Sequence, residues 1–168
     1  MIERPAIKVD AVTHEISEPQ PALRACLFVL AGSLFAVDVM SAREVAIFEG
    51  FTLVPWAPPV LVGIANLRGV IMPIVDIRPL LHLPPHRPGT VIKSLVIEEP
   101  PIRVAVAIEA ALGLEPFTRM ISQTGPHPFA LGLLPRGGEL VTLLDAPAIL
   151  DALSRKMRKA HDTEEDRG

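Results

Sequence analysis

Short apolar runs alternate with polar turns along most of the chain, and the runs fall into pairs. Cys26 to Leu30 and Leu34 to Val39 flank Ala31, Gly32 and Ser33, and Arg43 to Phe48 adds a further strand. Val62 to Leu67 and Val70 to Val75 flank Arg68 and Gly69. Thr90 to Ile97 and Arg103 to Ile108 flank Glu98, Glu99, Pro100 and Pro101. Ala130 to Leu134 and Leu140 to Leu144 flank Pro135, Arg136, Gly137 and Gly138. Branched apolar runs separated by Gly- and Pro-containing turns predict successive β-hairpins, and many short strands of this kind predict a mainly β barrel or sandwich.

The hairpin around Arg68 is the most informative of these. Gly69 can adopt positive φ, which a tight two-residue turn requires, and the hairpin's single charge then sits at its tip, within reach of a partner.

A faint internal echo aligns Gly69 with Gly138. Each is followed by an apolar strand, then Asp76 or Asp145, then Leu80 and Leu81 or Ile149 and Leu150. Strand, Asp and short helix thus occur twice, predicting two similar subdomains. Pro79 and Pro147 suit first helical turns, and both aspartates read as helix caps, each worth about 1 kcal/mol.

The ends differ from this pattern. Residues 1–22 mix charges with Pro5, Pro19 and Pro21 and predict a mobile arm. Residues 154–168 are strongly charged and predict a helix end fraying into a solvated tail. The ordered domain is expected over 23–153.

Composition narrows the classes. Of 168 residues, 49% are apolar but few are aromatic, so the core must be built mainly from Val, Leu, Ile and Ala. A net charge of -3 offers no general attraction to a phosphate backbone, which argues against nucleic acid as a partner. Cys26 is the only cysteine; it excludes an internal disulfide and reads as core. MIERPAIKVD shows no secretory h-region. The longest uncharged stretch, Phe51 to Leu67, is short for a membrane span and is interrupted by prolines, so a cytoplasmic protein without membrane insertion is expected.

Enzyme signatures are missing. No nucleophile elbow, phosphate-binding glycine loop or C-x-x-C occurs, and the prolines between His82 and His86 spoil metal-ligand spacing. No catalytic, metal or cofactor residue is assigned. Glu98 and Glu99 read as surface charge in a turn, and Trp56 as a plug at a barrel end. Glu44 admits two readings: the end of a capping box begun by Ser41, or a strand residue paired with Arg68 that orients its guanidinium for a partner.

These residues resemble the CheW-like domain family, the scaffold of bacterial chemosensory arrays, from about Cys26 to Leu153. The resemblance is carried by Gly63, Asn66, Leu67, Arg68, Gly69 and Val70 through Pro73, Val75 and Asp76, with Phe28, Leu30, Gly32, Phe35, Val37, Asp38, Glu44, Val45, Pro55 and Pro58 in register upstream. It implies two packed, intermingled SH3-like β-barrel subdomains with a few short helices and no catalysis. It also implies an adaptor coupling the cytoplasmic tips of methyl-accepting chemoreceptors to the regulatory domain of the histidine kinase CheA, at receptor arrays on the inner membrane face. The positions carried over as partner-binding are Arg68 and Glu44, with Asn66, Gly69 and Gly63 as hairpin neighbours and Val39 as an apolar contact. The stretch after Leu153 is shorter than the roughly fifty residues a domain needs, so no receiver domain is expected there.

The chain departs from the family pattern at Ile108 to Gly113, which puts partner choice through the second barrel in question. A coupler of a non-flagellar pathway, for twitching or another output, fits equally well. From a different class, a small β-barrel ligand-binding protein or enzyme would use Glu44, Arg68 and a histidine in a pocket beside the hairpin.

Overall fold

The computed structural model describes residues 23–86 and 89–165; the arm expected over 1–22 lies outside them. The elements are β1 (Leu23–Leu30), β2 (Ser33–Asp38), β3 (Ala42–Phe48), β4 (Leu61–Leu67), β5 (Val70–Val75), a 3-10 helix (Arg78–Leu81), β6 (Ile92–Glu99), β7 (Ile102–Ala107), β8 (Ala110–Phe117), β9 (Ala130–Arg136), β10 (Glu139–Leu144) and α1 (Ala146–Glu165). Every predicted hairpin forms. The strand that sequence patterning misses is β8, AALGLEPF. Its alanines, Gly113 and Pro116 are poor strand formers, and proline is tolerated because β8 is an edge strand, paired only with β1.

Two five-stranded sheets result, ordered β8-β1-β2-β10-β9 and β3-β6-β7-β5-β4. They share one plan. In each, a tip hairpin (β9–β10 or β4–β5) joins a second hairpin (β1–β2 or β6–β7) through one parallel contact, β10 with β2 or β5 with β7, and an edge strand completes the row. The second sheet reads straight along the chain, whereas the first borrows β1 and β2 from the N-terminal side. The two are circular permutations of one another.

The echo seen in the sequence is this repeat. The N–H of Asp76 donates to Val60 O and that of Asp145 to Phe129 O, both at 2.8 Å, so each aspartate closes the base of its own tip hairpin. Both sheets also curl shut in the same way. Beyond β3, Thr52 and Ile64 of β4 exchange hydrogen bonds of 2.8 and 2.9 Å; beyond β8, Ser122 O accepts from Leu133 of β9 at 3.0 Å. The outcome is two small SH3-like barrels.

Closure needs a residue without a side chain where the strand crosses. A Cβ built on Gly63 would stand 2.6 Å from both Phe51 Cδ2 and Thr52 O, and one on Gly132 would strike Met120 and the Ser122 carbonyl. Gly63→Ala and Gly132→Ala are each expected to cost roughly 1–3 kcal/mol by overpacking. Gly50, with open space around it, should tolerate alanine within about 0.5 kcal/mol. Urea denaturation of the three variants measures the difference.

Three apolar clusters hold the molecule. Ala25, Leu27, Ala36, Phe117, Leu134, Val141 and Leu143 fill the first barrel. Ala46, Phe48, Met72, Ile74, Val96 and Ala105 are among those filling the second. The largest lies between the barrels: Phe28, Leu30, Phe35 and Val37 of one sheet meet Val75, Leu95, Ile97, Val104 and Val106 of the other, with Leu81, Ile149 and Leu153 covering the seam. Strands β1 and β7, Met72–Val75 of β5 and Leu95–Ile97 of β6 are thus buried on both faces, which explains their apolar runs.

The charged segment from Ser154 does not begin with a frayed end. It continues α1 to Glu165, supported locally by the Arg155–Asp151 ion pair one turn apart.

Candidate functional site

The β4–β5 turn consists of Arg68 and Gly69, both at positive φ (50° and 86°), the pattern of a type I′ hairpin. Asn66 Oδ1 accepts from Gly69 N–H at 2.7 Å and locks the turn. Glycine takes such a φ freely, but arginine holds it at a cost of about 1 kcal/mol. At the tip of the hairpin the side chain is 70% exposed.

The Arg68 guanidinium bonds both carboxylate oxygens of Glu44. Glu44 lies on β3 and Arg68 on the β4–β5 hairpin, at opposite edges of the sheet, so only barrel closure brings them together. The strand reading of Glu44 therefore holds. The capping-box reading fails because no helix follows Ser41, whose hydroxyl instead donates to Glu99 at 2.5 Å. Exposed Val70 and Ile71 continue from the tip, and exposed Val45 and Ile47 share β3 with Glu44. Val45 and Ile47 alternate with Glu44 along β3 and therefore turn to the opposite face of the strand.

The other carried-over positions separate. Asn66 and Gly69 belong to the tip. Val39 is half-buried in the turn leaving β2, its N–H bonded to Arg24 O at 2.9 Å. Gly63 is buried under the continuation of β3 and presents no surface to a partner; its duty is closure.

Three further expectations are corrected. Trp56 does not plug a barrel: it is 85% exposed, at positive φ, on the loop between β3 and β4. Glu98 and Glu99 are more than surface charge. Glu98 pairs with Arg103 at 2.6 Å and Arg43 at 3.7 Å, while Glu99 takes the Ser41 hydroxyl. Asp76 is not a simple helix cap, since Ile77 occupies that position. Its Oδ1 accepts from Arg78 N–H at 3.0 Å and Arg78 Nη1 at 3.1 Å. Asp145 does cap α1, accepting from Ala148 N–H at 3.0 Å.

Sequence reasoning missed two arrangements. Arg136 of β9 grips Glu115 of β8 through Nε and Nη2 at 2.8–3.0 Å, so the first barrel closes with an Arg–Glu pair across its edges just as the second does. The offset between Gly69 and Gly138 points to that hairpin, but nothing marks Glu115, because β8 itself is hard to read.

The other arrangement centres on Arg78, a buried arginine held by Asp76 and, through Nη2 at 3.3 Å, by Glu109. Glu109 in turn accepts from the N–H groups of Ala31 (2.6 Å) and Gly32 (3.1 Å). Partial burial pushes the Glu109 carboxyl up, but the Gly32 N–H, the Arg78 guanidinium and the Ala31 N–H together outweigh it and hold the pKa below its ordinary 4.5. A carboxyl depressed in the folded state stabilises fully above its unfolded pKa, and that contribution fades as pH falls through the folded value. Glu109→Gln should therefore flatten the acid limb of a stability-versus-pH curve below about pH 4.5, as followed by denaturant midpoints.

Among the described residues, no three His, Cys, Asp or Glu side chains are placed to hold a metal. Cys26 is buried, its thiol pKa raised by desolvation, and it packs as core. His127 packs against Phe35 with the two rings tilted 53° to one another. Three shallow hollows, around Phe51 and Leu53, around His127 and Leu140, and between Pro79 and Lys159, include neither Arg68 nor Glu44. No described helix is long and apolar enough to cross a membrane.

Comparison with known proteins agrees with this architecture. The family model for the CheW-like domain matches residues 24–154. A probable chemotaxis protein CheW from Rhizobium etli is 26% identical over 129 residues, 73% of this chain and 83% of that protein. The chemotaxis protein CheW of Bacillus subtilis is 24% identical over 132 residues, covering 74% and 85%. In fold, the scaffolding protein TtCheW from Thermoanaerobacter tengcongensis superposes with a TM-score of 0.65 at 18% identity, over 74% of this chain and 89% of that one.

Proposed function

The chain belongs to the CheW-like domain family, and from that premise we propose that this non-enzymatic chemotaxis scaffold couples methyl-accepting chemoreceptors to the regulatory domain of a CheA-type histidine kinase. The observation that carries the reading is the Arg68–Glu44 clasp. A strained, exposed arginine is oriented by a bidentate carboxylate at the tip of a pinned hairpin, and it leaves donors free for carbonyls or carboxylates on a receptor helix. Asn66 and Gly69 hold the tip, and Val39 supplies apolar contact on the crossing to β3.

Two barrels offer separate faces, one for receptor and one for kinase. Contacts of roughly 800 Å² or less per partner are enough when many copies assemble into an array on the inner face of the membrane, because repetition multiplies weak affinity. Flagellar and non-flagellar outputs are served by the same geometry. Co-purification of the tagged protein from its native cell tests the reading: kinase and chemoreceptors should both be recovered, and recovery of neither would refute it.

A further inference from the structure

The chain crosses between the barrels twice, from β2 to β3 and from β7 to β8, and Glu109 sits at the second crossing. Its backbone N–H bonds Val29 O of β1 at 2.9 Å, and its carboxylate takes both N–H groups of the β1–β2 turn. Glu109 is thereby fastened to the first barrel on main chain and side chain alike. Arg78 holds it from the other side. Arg78 follows β5 of the second barrel, is only 2% exposed, and is anchored there by Asp76.

We propose that Arg78 is a positioning residue: by bridging Asp76 and Glu109 it fixes the angle between the two barrels, and so sets how a contact made at the Arg68 tip is relayed to a partner on the other barrel. The apolar seam between the sheets drives the barrels together but is largely non-directional. A buried guanidinium with two carboxylates accepts only one geometry, and buried ionic groups can confer specificity of arrangement rather than stability. The second half of this inference rests on the coupler reading above; the first half does not.

The test uses the full chain, spin-labelled at Lys93 on β6 and Leu131 on β9, both exposed and on different barrels. Glu109→Gln removes the charge facing Arg78, and Arg78→Met replaces the buried cation with an apolar side chain of similar length that keeps the site filled. Both variants should melt cooperatively, yet the inter-barrel distance distribution should shift or broaden relative to the parent. Receptor-stimulated kinase activity should fall about tenfold, with receptor and kinase each still captured singly. An unchanged distance distribution in both folded variants overturns the proposal; an altered distribution with full coupling overturns its relay. The distance measurement needs no partner, so failure of the partner assignment and failure of the clamp are separate results.

Discussion

Arg68→Glu is expected to leave a folded protein that no longer couples receptor to kinase. The exposed ion pair contributes about 0.2–1 kcal/mol to stability, and reversing the charge against Glu44 adds repulsion of similar size. The melting temperature should fall only slightly. At the surface the loss is much larger, since a central arginine whose hydrogen bonds to a partner are replaced by repulsion typically costs 2 kcal/mol or more, roughly thirtyfold in affinity. Arg68→Gly sharpens the test. Glycine accepts the φ of 50° without strain, and that relief of about 1 kcal/mol roughly offsets the lost ion pair and the greater freedom of glycine in the unfolded chain, so this variant should be about as stable as the parent and equally deficient in coupling. Thermal melts and paired pull-downs decide it. Full coupling by either folded variant would show that the tip is not the receptor contact.

Asp76→Ala and Asp145→Ala should differ despite their equivalent places in the two barrels. Asp145 supplies one capping hydrogen bond at the start of α1, and its loss should cost about 1 kcal/mol. Asp76 holds the buried guanidinium of Arg78 as well as its backbone N–H. Removing it leaves a positive charge in the interior with Glu109 alone, and breaking a buried pair from one side costs about 3–5 kcal/mol. Equal destabilisation of the two variants in urea would mean that the Arg78 pair carries no net energy beyond a cap.

Much of this was legible before any fold was known. The tip hairpin announces itself by a two-residue turn between apolar runs, and the doubled strand–Asp–helix pattern announces the repeat. Local chemistry dictates both, because turn residues and apolar runs act within a few positions of one another. Weak local signals failed in turn. Strand β8 is stabilised by β1 across the sheet and not by its own composition, and Trp56 looked like core only because large aromatic side chains are usually buried. The charged C-terminal segment stays helical through i, i+4 pairing on a helix already nucleated by the buried Ile149, Leu150 and Leu153.

Sequence alone determined the strands apart from β8, the arginine's position at a hairpin tip, and the family to which such a pattern is similar, since all three follow from neighbours along the chain. Tertiary structure decided which residues meet. Glu44 reaches Arg68, and Glu115 reaches Arg136, only because each sheet curls until its two edges touch over a glycine. Arg78 finds Glu109 only because the N-terminal hairpin completes the other barrel. Those encounters depend on curvature and permuted strand order, which no local pattern of apolar and polar residues encodes.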